Sequence, residues 1–216
     1  MGSAAMSHVD LFPLMIVAGI AGVFAIIIAL VVQQGRKNWE RVQRLATELG
    51  LEMEARKKVL GITYGLPRAS GTWRGWRMEI FNYTTGSGKT QRTWSTLALH
   101  LNGPPTRSFK LRPQNFGTTV SKLFGAREII VGSREFDDAF FVEAGEAEFF
   151  KAALLPEIQA KLLEARRAGA KGTYECAAGS LKYTEQNAFS AERVQRFRAL
   201  TEVLADLATL AETGSR

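Results

Sequence analysis

The most prominent pattern in the chain is an unbroken apolar run, LFPLMIVAGIAGVFAIIIALVV, over residues 11–32. The run carries no charged side chain. As a helix rising about 1.5 Å per residue it would reach roughly 33 Å, which is enough to cross a hydrocarbon core of about 30 Å. Because lipid offers no hydrogen-bond partner to exposed backbone amides, a helix is the form required there. The pattern predicts one transmembrane helix at residues 11–32.

A cleaved signal peptide is the alternative explanation of an N-terminal apolar run. It needs a positively charged stretch before the run, a shorter apolar core and a cleavage site between small residues. The ten residues before the run contain no Lys or Arg, and the run is longer than a signal peptide requires. We therefore favour an integral, single-pass membrane anchor.

The charges on the two sides of the anchor predict its direction. Before the anchor the one charged side chain is Asp10, whereas four basic residues follow it: Arg36, Lys37, Arg41 and Arg44. Basic residues close to a transmembrane helix stay on the cytoplasmic side. We expect residues 1–10 outside and the folded part in the cytoplasm, and a single cysteine, Cys176, agrees with a reducing compartment.

Small residues follow one side of the anchor at intervals of four, three and four positions: Ala18, Gly22, Ala25 and Ala29. Small side chains at such spacing let two helices approach closely in lipid. The pattern predicts a homodimer through this side. The alternative is that it has no role, because Gly and Ala are common in any transmembrane helix.

Beyond the anchor the periodicity becomes that of an amphipathic helix over residues 38–49. Its apolar residues recur at helical spacing: Trp39, Val42, Leu45, Ala46 and Leu49. Gly50 supplies a stop, and Gly35 is expected to bend the chain before this helix. We assign residues 33–58 to a juxtamembrane linker with an amphipathic helix. Trp39 has two interpretations, one at the membrane interface and one in the domain core.

The next part of the chain is rich in aromatic and β-branched residues separated by Gly, Pro and Asn. It predicts four strands, at residues 59–65, 71–83, 91–101 and 108–111. In the third strand Leu97, Leu99 and Leu101 share one face. The connections are too short for crossovers, so we expect an antiparallel meander.

The remaining elements alternate between helix and strand. We predict, in order, a helix at 118–124, strands at 128–131 and 139–143, a helix at 146–167 that Pro156 divides, and a hairpin at 171–176 and 181–184. A last helix is capped by Ser190 and buries a stripe of Val194, Phe197, Leu200, Leu204 and Leu207. The predicted fold class is α+β, with one cytoplasmic domain at 59–216 in which helices flank a mainly antiparallel sheet.

The string GSGKT at residues 86–90 resembles the end of a phosphate-binding P-loop. The full pattern needs a glycine five residues before Gly88, where Tyr83 stands. It also needs a following helix whose first amides hold the phosphate. A strand pattern follows instead, so we predict a flexible hairpin turn.

No residue qualifies as catalytic, cofactor-binding or metal-binding. His8 lies beyond the anchor, and His100 stands alone on a predicted strand. Cys176 lacks a sequence context that would activate its thiol. Asp137 and Asp138 are adjacent, whereas general acid–base pairs usually face each other across a cleft, so a turn or helix-cap role is favoured.

Charge is distributed unevenly along the domain. Residues 64–134 carry eleven Lys/Arg against two Glu, a balance of +9, and residues 135–164 carry eight acids against two Lys, a balance of −6. Trp73, Trp76 and Trp94 lie among the basic side chains. Such strands can bind nucleic acid or anionic lipid headgroups, and a tether beside an anionic leaflet favours lipid over nucleic acid. Pairing within the domain is the interpretation that we prefer to both.

Three blocks carry a family resemblance: WERVQRLA at 39–46 with LGL at 49–51, GTWRG at 71–75, and EFDDAFFV at 135–142 with LLP at 154–156. Together they resemble bacterial single-pass membrane proteins that carry a domain of unknown function, over most of residues 39–165. The resemblance implies a bacterial source, hence the inner membrane, and a cytoplasmic domain. It implies no activity.

These patterns favour a non-enzymatic, membrane-anchored interaction or scaffold module with an unknown protein partner. The alternative is a sensor that binds anionic lipid or a small ligand through the basic strands. An enzyme of unrecognised chemistry comes third.

Overall fold

The computed structural model describes residues 11–55, 57–59, 62–103, 107–114 and 128–213. The chain divides into two compact units, Met1–Lys37 and Asn38–Arg216. Helix α1 (Leu11–Glu48) supplies the described part of the first unit and the beginning of the second.

The described part of the first unit is helical and apolar. Every side chain from Met15 to Lys37 is exposed, and the most apolar window has a mean hydropathy of 3.0 with 0% of it buried. By length and composition, α1 is able to cross a membrane. The chain stays helical through Gly35, which lies inside α1. One glycine costs a helix about 1 kcal/mol relative to alanine, too little to end it between good helix formers.

The second unit, which we call the domain, combines ten strands and further helices within the described ranges. The strands are β1 (Glu52–Met53), β2 (Lys57–Val59), β3 (Ile62–Tyr64), β4 (Arg68–Trp73), β5 (Trp76–Thr85), β6 (Arg92–His100), β7 (Phe109–Pro113), β8 (Phe140–Ala144), β9 (Thr173–Ala177) and β10 (Ser180–Gln186). The helices after α1 are α2 (Arg134–Ala139), α3 (Ala147–Ala153), α4 (Pro156–Arg167) and α5 (Ala191–Glu212).

Eight strands form one sheet in the order β1-β4-β5-β6-β10-β9-β7-β8, and β2 pairs with β3 in a separate hairpin. Every pairing is antiparallel. Local turns connect β4, β5 and β6 in a meander. In contrast, β10 pairs with β6 although the two strands are far apart in the chain. The predicted α+β class is confirmed.

The core lies on one face of this sheet. Alternation along the central strands points apolar residues to that face, and all of the following are buried: Met78, Ile80, Leu97, Leu99, Leu181 and Tyr183. Val42 and Leu45 of α1 belong to the same buried cluster. The predicted stripe of α5 also joins it, from Val194 to Leu207, and the Ser190 side chain accepts a hydrogen bond from Arg193 N as its cap.

The end of α1 is fixed to the domain by polar side chains. Asn38 donates to Asn82 Oδ1 at 3.3 Å, and Asn82 donates to Ser95 Oγ at 2.9 Å. The Trp39 indole donates to Gly65 O at 3.2 Å, and Trp39 is buried. Of the two interpretations of Trp39, the structure shows the core position.

One predicted strand is two strands. The chain turns back at Arg74 and Gly75, which have φ angles of 50° and 87°, and Trp73 pairs with Trp76 across the turn. Residues 71–83 therefore belong to β4 and β5. A two-residue turn with two positive φ angles suits the twist of a hairpin. Arginine is rare at such a position, so the residue pattern did not indicate a turn there.

Residues 59–65 also divide. Val59 is the last residue of β2, and Ile62–Tyr64 form β3, which pairs antiparallel with β2. The single predicted strand is therefore wrong. The predicted helix at 118–124 lies outside the described residues. The helix predicted at 146–167 is divided into α3 and α4 by Pro156, as expected.

The segment before β8 differs from its prediction. Residues 128–131 are not a strand, although Ile129 N donates to Val142 O at 2.9 Å. Helix α2 follows them, and Asp137 in it accepts hydrogen bonds from Val131 N and Gly132 N at 2.8 and 3.0 Å. These bonds hold the preceding loop and replace strand pairing there, so Asp137 orders the loop before its own helix.

Candidate functional site

The basic strands converge on one buried carboxylate on the sheet face opposite the core. Glu79 of β5 is contacted by Arg68 Nη2 at 2.6 Å, Arg77 Nη2 at 3.1 Å and His100 Nε2 at 3.2 Å. Its side chain is only 7% exposed, because these three side chains cover it. His100 is therefore a neighbour of a carboxylate and not an isolated surface residue.

Two opposing effects act on the pKa of Glu79. Burial would raise the pKa, but the hydrogen bond and charge of Arg68, with the charges of His100 and Arg77, bring it below its usual value. Glu79 is thus ionised at neutral pH. The cluster neutralises part of the basic segment from within the domain.

Further cations of the basic segment also have acidic partners. Arg74 contacts Glu202 of α5 at 2.7 Å, and Lys110 contacts Glu175 of β9 at 3.3 Å. Two pairs join the basic segment to the acidic one, Arg112 with Glu143 at 2.5 Å and Arg107 with Glu146 at 3.3 Å. The preferred interpretation, pairing within the domain, is confirmed for these side chains, with partners on more elements than charge counting indicated.

The tryptophans of the basic segment are also engaged by the domain. Trp76 donates to Glu212 Oε1 at 3.0 Å and so holds the end of α5. Trp94 donates to Thr85 Oγ1 at 2.8 Å and stacks on Tyr83, with ring centroids 6.4 Å apart. The predicted turn at residues 86–90 lies beside this pair, between β5 and β6, and contains a short 3-10 turn (Gly88–Thr90).

A buried charged cluster, which was not predicted from the sequence, surrounds Glu185 on the core face of β10. Glu185 accepts a hydrogen bond from Tyr183 Oη at 2.6 Å, and Arg196 Nη2 of α5 lies 2.7 Å from Oε1 and 2.9 Å from Oε2. The Glu185 and Arg196 side chains are 5% and 8% exposed. Burial raises the pKa of both neighbouring tyrosines, Tyr183 and Tyr174. A signal was present, since Glu185 shares strand parity with Leu181 and Tyr183.

Cys176 lies in β9 and is buried. Burial raises the pKa of its thiol to about 11, and Sγ is 3.5 Å from Arg107 O. A thiol with such a pKa is protonated at neutral pH and is a poor nucleophile. This agrees with the expectation that its context does not activate it.

A groove of about 430 Å³ lies between α3, α4 and the end of α5. Its apolar lining includes Phe149, Ala153, Leu155, Ile158 and Leu210. Lys161 and Asp206 pair across it at 2.6 Å, and Leu155 is 53% exposed. Apolar walls with a few polar groups are typical of surfaces that bind a partner or ligand.

Comparison with protein-family models and with curated proteins gives no match. Among solved structures, the chain is similar to the crystal structure of the mycobacterial trehalose monomycolate transport factor A, TtfA, with a TM-score of 0.51 and 15% sequence identity. The similarity covers 82% of this chain and 96% of that chain. At this identity the similarity shows the fold alone. The resemblance to a bacterial family, drawn from three sequence blocks, stays a prediction.

Proposed function

We propose that this protein is a single-pass membrane protein whose domain is a non-enzymatic interaction module in the cytoplasm of a bacterium. The observation that carries the proposal is the apolar surface of α1, on which every side chain from Met15 to Val32 is exposed. Contiguous apolar surface of this extent is rare on water-soluble monomers. Lipid is the environment that such a helix fits, and the Lys/Arg residues that follow it support the cytoplasmic orientation.

Two features of the domain support interaction as its role. The apolar groove offers a surface that a partner can cover, with Leu155 already half exposed at its edge. The solved structure of similar fold bears the name of a transport factor, and an interaction role for this domain is consistent with that name. The ion pairs of Arg74, Lys110 and Arg112 weigh against the basic strands as a lipid-binding face.

Self-association is a further part of the proposal. Ala18, Gly22, Ala25 and Ala29 all lie in α1 and are exposed. A Cβ atom built at Gly22 would meet nothing within 4 Å, so the structure leaves room for a second helix on this side. Dimerisation through these residues stays a prediction.

Site-specific photocrosslinking in cells tests the interaction role. A photoreactive amino acid at Leu155 of the full chain should give a light-dependent adduct of discrete mass, because that side chain borders the apolar groove. The matched position is Lys182, which is exposed on the opposite sheet face, and it should give no adduct of that mass. Mass spectrometry then identifies the partner. Absence of any adduct at Leu155 would contradict the proposal.

A further inference from the structure

A second groove of about 450 Å³ lies between the end of α1 and the beginning of α5, entirely within the domain. Its lining is rich in arginine: Arg41, Arg44, Glu48, Val194, Gln195 and Arg198. Three cations against one carboxylate leave an excess positive charge of two. We call it the arginine groove.

Helical spacing explains why these residues meet. Arg41, Arg44 and Glu48 are three and four residues apart, so they share one face of α1. Val42, Leu45 and Ala46 occupy the buried face of the same helix. On the other side of the groove, Val194, Gln195 and Arg198 belong to the first turns of α5, where the helix dipole adds partial positive charge near its beginning.

The three arginines are held differently. Arg41 Nη1 donates to Phe189 O at 2.9 Å and is half buried, which fixes its orientation. Arg198 contacts Glu48 at 3.5 Å, but 69% of its side chain remains exposed. Arg44 is exposed and forms no ion pair with any residue that the structure describes. Unlike Arg112 or Arg68 on the basic strands, these guanidinium groups keep donors for a ligand.

We propose that the arginine groove binds the phosphodiester headgroup of an anionic phospholipid. Guanidinium groups match phosphate oxygens in geometry and bind them in pairs. The excess charge of two suffices for one phosphodiester anion. The inference rests on the proposed membrane anchoring, which makes lipid the nearest abundant source of such a group.

The short segment between the anchor and the arginine groove limits the distance from the groove to the lipid headgroups. Arg41 is nine residues after Val32. Even a fully extended chain, at about 3.6 Å per residue, would reach no further than about 32 Å, which is an upper bound on the distance between them. Anionic headgroups on the cytoplasmic leaflet attract basic residues close to the membrane, by about 1 kcal/mol for each Lys or Arg. A tethered arginine groove therefore meets headgroups at high local concentration.

Titration of the detergent-solubilised full chain with short-chain phosphatidylglycerol tests this inference. Short-chain phosphatidylcholine, which is zwitterionic, and inorganic phosphate form the two comparison arms. We expect saturable binding of phosphatidylglycerol and weak binding in the other two arms. Equal affinity for inorganic phosphate would make the groove a free-anion site and overturn the lipid assignment.

Two substitutions with opposite expected effects on the affinity for phosphatidylglycerol test whether the arginine groove is the binding site. Arg44→Gln should weaken binding of phosphatidylglycerol about 5-fold, the loss of one cation. Glu48→Gln should strengthen it by a similar factor, because it removes the single acid of the lining and releases Arg198. The matched control is Arg92→Gln on β6, an exposed arginine with the same charge change, which should leave the affinity within about 2-fold of the parent.

The outcomes distinguish a failure of the groove proposal from a failure of the anchoring proposal. If Arg44→Gln and Glu48→Gln both change affinity no more than Arg92→Gln, the groove assignment is overturned. Membrane residence of the same variants is measured in parallel by alkaline extraction. A chain that leaves the membrane but still shows the opposite shifts would contradict the proposed anchoring and retain the groove as a phosphate-binding site.

Discussion

Replacing Arg196 by leucine should lower the free energy of unfolding of the domain by about 3–5 kcal/mol. Arg196 holds both oxygens of Glu185 at 2.7 and 2.9 Å in a site that excludes most solvent. Without the guanidinium, the Glu185 carboxylate keeps the hydrogen bond from the Tyr183 hydroxyl. It stays buried, however, and has lost its main counter-charge. Breaking one half of a buried ion pair is costly for this reason. Denaturant titration of the full chain in detergent, followed by near-UV circular dichroism, measures the change.

A double substitution separates the ion pair from simple loss of packing. Arg196→Leu combined with Glu185→Leu should recover much of the lost stability, because exchanging a buried pair for apolar side chains is often close to neutral. Arg92→Leu, on an exposed arginine, should change stability by no more than about 0.5 kcal/mol. A loss of less than about 1 kcal/mol for Arg196→Leu, or a double variant less stable than the single one, would contradict a stabilising Glu185–Arg196 ion pair.

Replacing Gly172 by alanine should destabilise the domain by about 3 kcal/mol, at the upper end of what overpacking costs. A Cβ at this position would lie 2.5 Å from Thr184 O and 2.5 Å from Tyr183 Cζ. Neither atom can move freely, since one is strand backbone and the other belongs to a fully buried ring. Gly172 N also donates to Tyr183 Oη at 3.0 Å, so the clash would disturb the Glu185 cluster as well.

Gly103 provides the matched control for this substitution. A Cβ there would meet nothing within 4 Å, and its φ is not in the left-handed region. Gly103→Ala should therefore leave stability unchanged or raise it by up to about 1 kcal/mol, through the unfolded state. Both variants are compared by the same denaturant titration. Equal stability of Gly172→Ala and the parent would contradict the packing described around Tyr183.

Local patterns in the sequence were sufficient to predict an element correctly where one face of that element is buried. The apolar periodicity of α5 predicted its stripe because a helix against a sheet must bury one side. The β4–β5 boundary was missed because Arg74 adopts a positive φ that its residue type does not signal. The α2 segment was missed because the hydrogen bonds of Asp137 to Val131 and Gly132 compete with strand pairing and leave little trace in the order of residues.

Charged clusters were the hardest features to predict, since they join residues far apart in the chain. Counting charges showed that the basic segment needed partners, but it could not show that Glu79 gathers three cations. The arginine groove joins Arg44 of α1 to Arg198 of α5, which only the fold brings together. The predicted strand at 181–184 ended one residue before Glu185, whereas β10 continues to Gln186. Extending the strand by one residue would have put Glu185 on the face of Tyr183, and an acidic residue on a core face is a signal that sequence reasoning can use.

Alkaline extraction of cell membranes tests the central claim, that residues 11–32 hold this protein in a lipid bilayer. The full chain, expressed at a native level, should remain in the membrane pellet after alkaline treatment and dissolve only when detergent is added. A chain lacking residues 11–32 should appear in the supernatant, which shows that retention depends on the apolar segment. Release of the full chain into the alkaline supernatant would contradict the account.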